Sequence, residues 1–394
     1  MTPGLRAPGT QAAAGANAGI DQLRGLAVLL VWCHHVAAHA GLALPLVGHL
    51  GGLLGVQLFF VISGYLIVRS AQRETTGAYA VRRLLRIFPA YLVVVAVATT
   101  LSPRVSWELV RAEPAAFVVN LLALSHWWPP ALQFFDVTTV NWTLAVELTW
   151  YALAPLLAAA VPAGGRRRGW LALGVLALVV STGWVAAAQA GRLDAVFAPG
   201  IAAAGVSPVS EFMRFAYVVN AAPAHLVFFV TGALLLRFEA SVRGLPAALL
   251  AGLVLATAPF ADRWNDLLGL HPSFVSGIGL AALFVLVALR PGPSPDGTRQ
   301  APHGPHAAKH GTGRRIARAL GWIGRVSYPV YLLHVPVLLA ALALAGERWR
   351  LGPGAAVAAA VVATLALAWL VHLAIERPGI ALGRRLTRRG SRSR

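Results

Sequence analysis

The run from Asp21 to His39 carries Arg24 near one end and His34, His35 and His39 near the other, around a middle apolar enough to enter a bilayer. Ionisable side chains at membrane depth are costly, so they face a protein interior or an aqueous cavity. Eleven helical steps separate Arg24 from His35, about three turns and roughly 16 Å of rise. The guanidinium and the imidazole therefore share one helical face. His39 follows one turn later on that face, whereas Cys33 and His34 point elsewhere. A guanidinium grips phosphate through two parallel N–H bonds. An imidazole, with an ordinary pKa near 6.5, can take the proton from a weakly nucleophilic hydroxyl at neutral pH. The plainer alternative is a packed histidine bonded to a neighbouring helix.

Further residues could extend that chemistry. In Phe59-Phe60-Val61-Ile62-Ser63-Gly64, the small pair permits close helix approach, and the Ser63 hydroxyl could hold a substrate carbonyl or orient the histidine. Arg82, Arg83 and Arg86 precede Ile87-Phe88-Pro89. Arg83 and Arg86, three apart, share a face and suit a phosphorylated donor, although arginines at a span end can also be mere topology signals. Glu147, in Trp142-Thr143-Leu144-Ala145-Val146-Glu147, would be costly without a partner and predicts a histidine, an arginine or a polar ligand beside it. Tyr328, Tyr331 and His334 recur every third residue and make a polar stripe on an apolar helix. His372 and Glu376, four apart before Arg377-Pro378, read as a helix-end ion pair.

The elements that must position these residues are membrane helices. The chain is 58% hydrophobic and only 12% charged, about half the charged fraction of a soluble domain, which predicts an all-α polytopic membrane protein. Apolar runs of about 20 residues fall near 23–41, 51–69, 85–101, 142–161, 169–189, 217–236, 245–261, 273–289, 321–344 and 353–375. A further run, 114–128, ends in His126-Trp127-Trp128-Pro129-Pro130. If it does not cross, every basic segment falls on one side. The positive-inside rule then gives about ten spans with both termini cytoplasmic. The net charge of +19 accordingly reads as cytoplasmic loops on an anionic leaflet. Nucleic acid is not expected as a partner, because the basic clusters are scattered between apolar spans.

Residues 1–20 read as a disordered tail, 21–378 as the multi-span domain with a flexible Pro/Gly/His/Arg-rich cytoplasmic loop at 290–319, and 379–394 as a basic, solvent-facing cytoplasmic tail. The single cysteine, Cys33, excludes an intrachain disulfide and a Cys-based zinc site. No metal site is expected.

In this order, Arg24…His35, Phe59-Phe60-x-x-Ser63-Gly64, Arg83-x-x-Arg86, Trp142…Glu147 and Ser327-Tyr328…Tyr331…His334 resemble the membrane-bound acyltransferase-3 family, over essentially the whole chain after residue 20. The resemblance implies transfer of a short acyl group, commonly acetyl, from acyl-CoA to a hydroxyl of a glycan, peptidoglycan or an antibiotic such as a macrolide. It implies a bacterial cytoplasmic-membrane enzyme without a fused esterase-like domain, using acyl-CoA as co-substrate and no permanently bound cofactor. It makes His35 the catalytic histidine and puts Arg24, Arg83 and Arg86 on the donor side; Glu147 and His334 are expected to join the catalytic group, and Ser63 the donor side. Gln57, Trp142, Tyr328 and Tyr331 are expected to line the substrate pocket. Two departures bear on acceptor preference: Gln57 stands where an acid often precedes the Phe pair, and Leu148 follows Glu147 where a second acid is common. The alternative reading is a transporter or flippase whose membrane His and Glu relay protons.

Overall fold

The computed structural model describes residues 8–44, 47–101, 107–124, 127–128, 131, 141–160, 165–203, 218–257, 260, 272–290, 307–345 and 352–389, and these are helical with short turns. The helices are α1 Pro8–Ala40, α2 Val47–Ala71, α3 Thr76–Leu101, α4 Trp107–Ala112, α5 Pro114–Leu121, α6 Asn141–Ala160, α7 Arg167–Gln189 and α8 Asp194–Ala203. They continue as α9 Leu226–Arg237, α10 Glu239–Arg243, α11 Ala247–Thr257, α12 Pro272–Phe284, α13 Ala307–Arg325, α14 Ser327–Leu344, α15 Pro353–Val371 and α16 Arg377–Arg389. A helix satisfies its own backbone groups, which is what hydrocarbon demands of a spanning segment.

Among the described residues, six stretches are long and apolar enough to cross a membrane: Ala18–Ala40, Gly51–Ala71, Trp142–Ala160, Arg167–Gln189, Ser327–Leu344 and Pro353–Arg388. Ala222–Arg237, Ala247–Thr257 and Phe274–Leu289 are shorter apolar helices. Each lies within or beside a run expected to span, and the expected 85–101 lies inside α3. The ambiguous run 114–128 is not one helix. α5 ends at Leu121, Ala123 turns the chain at φ 54°, and eight helical residues rise only about 12 Å.

The middle of the bundle is α2, 72% of whose most apolar window is buried, against 22–39% for the other five. Ile20, Leu23, Ala27 and Val31 of α1, Phe60 and Tyr65 of α2, Trp150 of α6 and Phe228 and Phe229 of α9 share one core. Lipid is as apolar as leucine, so helix association in a bilayer rests on close packing of small residues. Gly64 shows this directly, because a Cβ there would run into the backbone carbonyl of Phe229.

Three boundaries differ from expectation. α1 starts at Pro8, inside the expected tail. The expected span 321–344 is divided at the turn of Val326: α13, with arginines along its exposed face, takes in the second half of the expected 290–319 loop, while 291–306 lie outside the described residues. The basic C-terminal stretch continues the last helix as α16, through a π-helical turn His372–Glu376, as far as Arg389. Its small residues Gly379, Gly383 and Thr387, four apart, make a face that lies on α3. Gly379 approaches the Leu85 carbonyl, and Arg82 Nε donates to Thr387 Oγ1 at 2.8 Å. Basic composition pointed to solvation, and the small-residue spacing decides the packing.

Candidate active site

One cavity is lined from α1, α2, α3, α6 and α14, and it contains Arg24, Phe59, Ser63, Arg83, Arg86, Thr143, Glu147, Tyr151, Ser327, Tyr328 and Tyr331. Along α2 its wall runs from Val56 to Ile67, eleven helical steps and roughly 16 Å. Contacts across the cavity divide that length into levels.

At one end stand the arginines. Arg83 Nη2 donates to Ser70 Oγ at 2.5 Å, and its guanidinium carbon lies 5.6 Å from the centre of the Tyr79 ring and 5.7 Å from that of Tyr151. The Tyr79 hydroxyl donates to the Tyr151 carbonyl at 3.1 Å. Two aromatic faces and a hydroxyl thus hold one cation, each face contributing about 0.5–2 kcal/mol. Arg24 and Arg86 line the same end, and Arg24 lies 3.9 Å from the Asp21 carboxylate. Arg82 has other partners, pairing with Glu74 at 3.3 Å besides bonding Thr387.

At mid-length the Ser63 and Tyr151 hydroxyls both donate to Glu147 Oε1, at 2.6 and 2.8 Å. The partners expected for Glu147 were a histidine, an arginine or a polar ligand. Two hydroxyls take that place, and among the described residues no basic group is ion-paired with it.

The other end is closed by rings. The hydroxyls of Tyr331 and Thr143 are 2.7 Å apart, and Phe59 stands edge-on to Tyr331 with centroids 6.0 Å apart. Tyr328, one turn back towards the arginines, donates to the Ile87 carbonyl at 3.0 Å.

Beyond this closure lie the histidines. His334 Nδ1 is 2.7 Å from the Tyr331 carbonyl. A carbonyl oxygen only accepts, so Nδ1 carries the hydrogen and the neutral ring keeps its lone pair on Nε2. Nε2 is buried with no hydrogen-bond partner among the described residues. The His35 ring lies 5.0 Å from His334, 5.3 Å from His34 and 5.8 Å from His39, on which it stacks at 7°. His39 is exposed, so the histidine group reaches the surface at the end opposite the arginines.

Of the residues expected at the site, Arg24, Ser63, Arg83, Arg86, Glu147, Tyr328 and Tyr331 share the cavity wall, and His35 and His334 meet just outside it. Two expected substrate-pocket residues do not line the cavity. Gln57 is fully buried and accepts from Ser276 at 2.9 Å, because two helical steps turn it about 200° from Phe59. The Trp142 ring packs 5.8 Å from His225. Cys33 does not line the cavity either. His372 and Glu376 pair at 2.7 Å as expected, within the π-helical turn. Sequence reasoning missed Tyr79, Thr143 and Tyr151. The i,i+4 rule would have found two of them: Tyr151 follows Glu147 by four, and Tyr79 precedes Arg83 by four.

A family profile described as an acyltransferase domain matches residues 17–373. The chain belongs to that family. It is similar to the acyltransferase MdmB of Streptomyces mycarofaciens, at 26% identity over 92% of each chain. The O-acetyltransferase OatA of Staphylococcus aureus is 30% identical over 35% of this chain and 24% of its own length. BcsY of Komagataeibacter xylinus, named a membrane-bound transacylase, is 33% identical over 38% of this chain and 39% of its own length. The match thus spans well under half of these last two relatives. No solved structure matches. Family membership and the apolar helices make this acyltransferase an all-α integral membrane enzyme.

Proposed function

We propose that this acyltransferase moves a short acyl group, acetyl first among them, from acyl-CoA to a hydroxyl of a glycan or secondary metabolite at a bacterial cytoplasmic membrane. One observation carries the reading: three arginines stand at one end of a single cavity, and His35 with His334 stands just past the other. Arginines suit the phosphates of a CoA thioester, and the histidines suit deprotonation of an acceptor that enters from the exposed His39 side. The relatives' names, an O-acetyltransferase among them, support acyl transfer to oxygen.

In this reading Arg83 and Arg86 hold the donor phosphates, Arg24 adds a third cation, and the acyl group points along the cavity towards Tyr331. His35 takes the proton from the acceptor hydroxyl as its oxygen attacks the thioester carbonyl. The carbon–sulfur bond breaks, an ester forms, and CoA leaves as the thiol after gaining a proton. His334, with its Nδ1–H held by the Tyr331 carbonyl, packs beside the His35 ring and fixes the ring arrangement there. Glu147 orients the Ser63 and Tyr151 hydroxyls between the two ends. No permanently bound cofactor is required by these steps. The transporter alternative lacks a role for the arginine end.

The test is acyl transfer by purified, detergent-solubilised protein given radiolabelled acetyl-CoA and membrane and metabolite extracts from the producing cell. The expected result is a labelled, alkali-labile ester whose formation requires His35. Absence of CoA binding together with proton-coupled solute uptake in proteoliposomes would overturn it.

A further inference from the structure

The cavity and the histidines do not meet: neither His35 nor His334 is on the cavity wall, and what stands between is the Phe59–Tyr331 pair. Tyr331 faces both sides, with Phe59 at 6.0 Å and the His334 ring at 5.6 Å, and its hydroxyl is tied to Thr143. Within about one helical turn on the arginine side of the pair, the cavity wall carries the apolar Phe60, Ile62 and Leu144. Behind them, the polar levels of Ser63, Glu147 and the arginines fill the rest of the cavity.

We propose that Phe59 and Tyr331 set the acyl length that the donor site accepts, the acyl group of a bound thioester ending against this ring pair. The inference rests on the donor reading above. Phosphates held at Arg83 and Arg86 fix one end of the donor, and the Phe59–Tyr331 pair closes the cavity at the other. The acyl chain then has only the space on the arginine side of the two rings. A short acyl group fits there, and each further methylene meets the Phe59 edge. Of the two rings Phe59 is the one that can be trimmed. Tyr331 also supplies the carbonyl that sets the His334 tautomer, and its hydroxyl holds Thr143, whereas Phe59 makes no hydrogen bond through its side chain.

The experiment uses S-alkyl-CoA thioethers, which bind as donors without reacting and require no knowledge of the acceptor. Titration of the detergent-purified full chain with S-ethyl-, S-butyl- and S-hexyl-CoA gives a ratio of affinities for each variant. The wild type should prefer S-ethyl-CoA. Phe59→Ala should shift the hexyl-to-ethyl ratio by about tenfold or more, the scale of one methylene in a fitted apolar pocket, and Phe59→Trp should shift it the other way. If Phe59→Ala does not fold, Phe59→Leu and Phe59→Trp carry the same comparison. CoA binding with the same ratio in every variant overturns this inference and leaves the donor reading standing. No binding of any thioether or of CoA by the wild type overturns both.

Discussion

Ser63 and Glu147 lie 84 residues apart in sequence and 2.6 Å apart, hydroxyl to carboxylate, at the mid-level of the cavity. The same carboxylate oxygen accepts from Tyr151, one turn further along α6. Three arginines line the cavity, yet the carboxylate is satisfied by neutral donors. With Arg24 beside Asp21, the guanidiniums of Arg83 and Arg86 are left to an incoming anion, and Glu147 is the negative charge that orders the hydroxyls.

Glu147→Gln keeps the size of the side chain and removes the charge that both hydroxyls serve. Hydrogen bonds to charged groups contribute about 1.5–3 kcal/mol, so the variant should lose roughly 10- to 100-fold in kcat/KM. Ser63→Ala should lose less, because Tyr151 still donates. Initial rates on purified protein decide it. A Glu147→Gln enzyme at wild-type rate would remove this carboxylate from the site.

Arg83 is held by three neighbours, and they make its role separable from that of a topology signal. Arg83→Ala should raise KM for acyl-CoA with a smaller change in kcat, the pattern of lost ground-state binding. Lysine should rescue only in part, since it cannot present the planar fork. Tyr79→Phe keeps the ring under the guanidinium and should stay near wild type, whereas Tyr79→Ala should shift KM in the direction of Arg83→Ala. Wild-type KM in Arg83→Ala and Arg86→Ala alike would make both arginines topological only.

How much of this was legible follows from what kind of signal each residue carried. Arg24, Ser63, Arg83, Glu147, Tyr328 and Tyr331 are polar residues on apolar helices, so cost alone singled them out. Helical spacing put His35 and not His34 with Arg24. His34 packs on α2, where a side chain at Gly52 would strike its ring. Spacing within one helix says nothing of which faces meet across helices. Gln57 was placed by its neighbours in sequence, and the α2 face that bears it turns to Ser276. The separation of the histidines from the cavity by Phe59 and Tyr331 is a tertiary fact with no local signature. Composition also hid α16, whose arginines outweigh the Gly379, Gly383 and Thr387 face in any average.

The orientation of the helices rests on the arginine distribution and can be read with reporters. Fusions at Ser241 and at the C-terminus should report cytoplasm, and one at Asp194 should report the outer side. The arginine end of the cavity then faces the compartment that holds acyl-CoA, and His39 faces the other. An external Ser241 would reverse donor and acceptor sides.

His35 and His34 are adjacent in sequence and should behave differently. His35 lies in a group with His334 and His39, next to the closed end of the cavity, whereas His34 meets the His35 ring edge and the α2 backbone near Gly52. His35→Ala should lower acyl transfer by about 10²–10⁴-fold, the usual worth of a general base, while CoA binding is retained because the arginine end is untouched. His35→Gln, similar in polarity but unable to take up a proton near neutral pH, should be as impaired as alanine. His34→Ala should cost far less, as a packing change. His334→Phe tests the companion ring. It keeps an aromatic body beside His35 but loses both the Nδ1–H bond to Tyr331 and the Nε2 lone pair, so it should reduce kcat more than it alters KM. Transfer rates on solubilised variants, with CoA binding as the check on folding, separate these outcomes. An inactive His34→Ala beside an active His35→Ala would mean that the base sits on the other face of α1. Full activity in both would leave this helix without a base, and proton abstraction would have to be sought at Glu147.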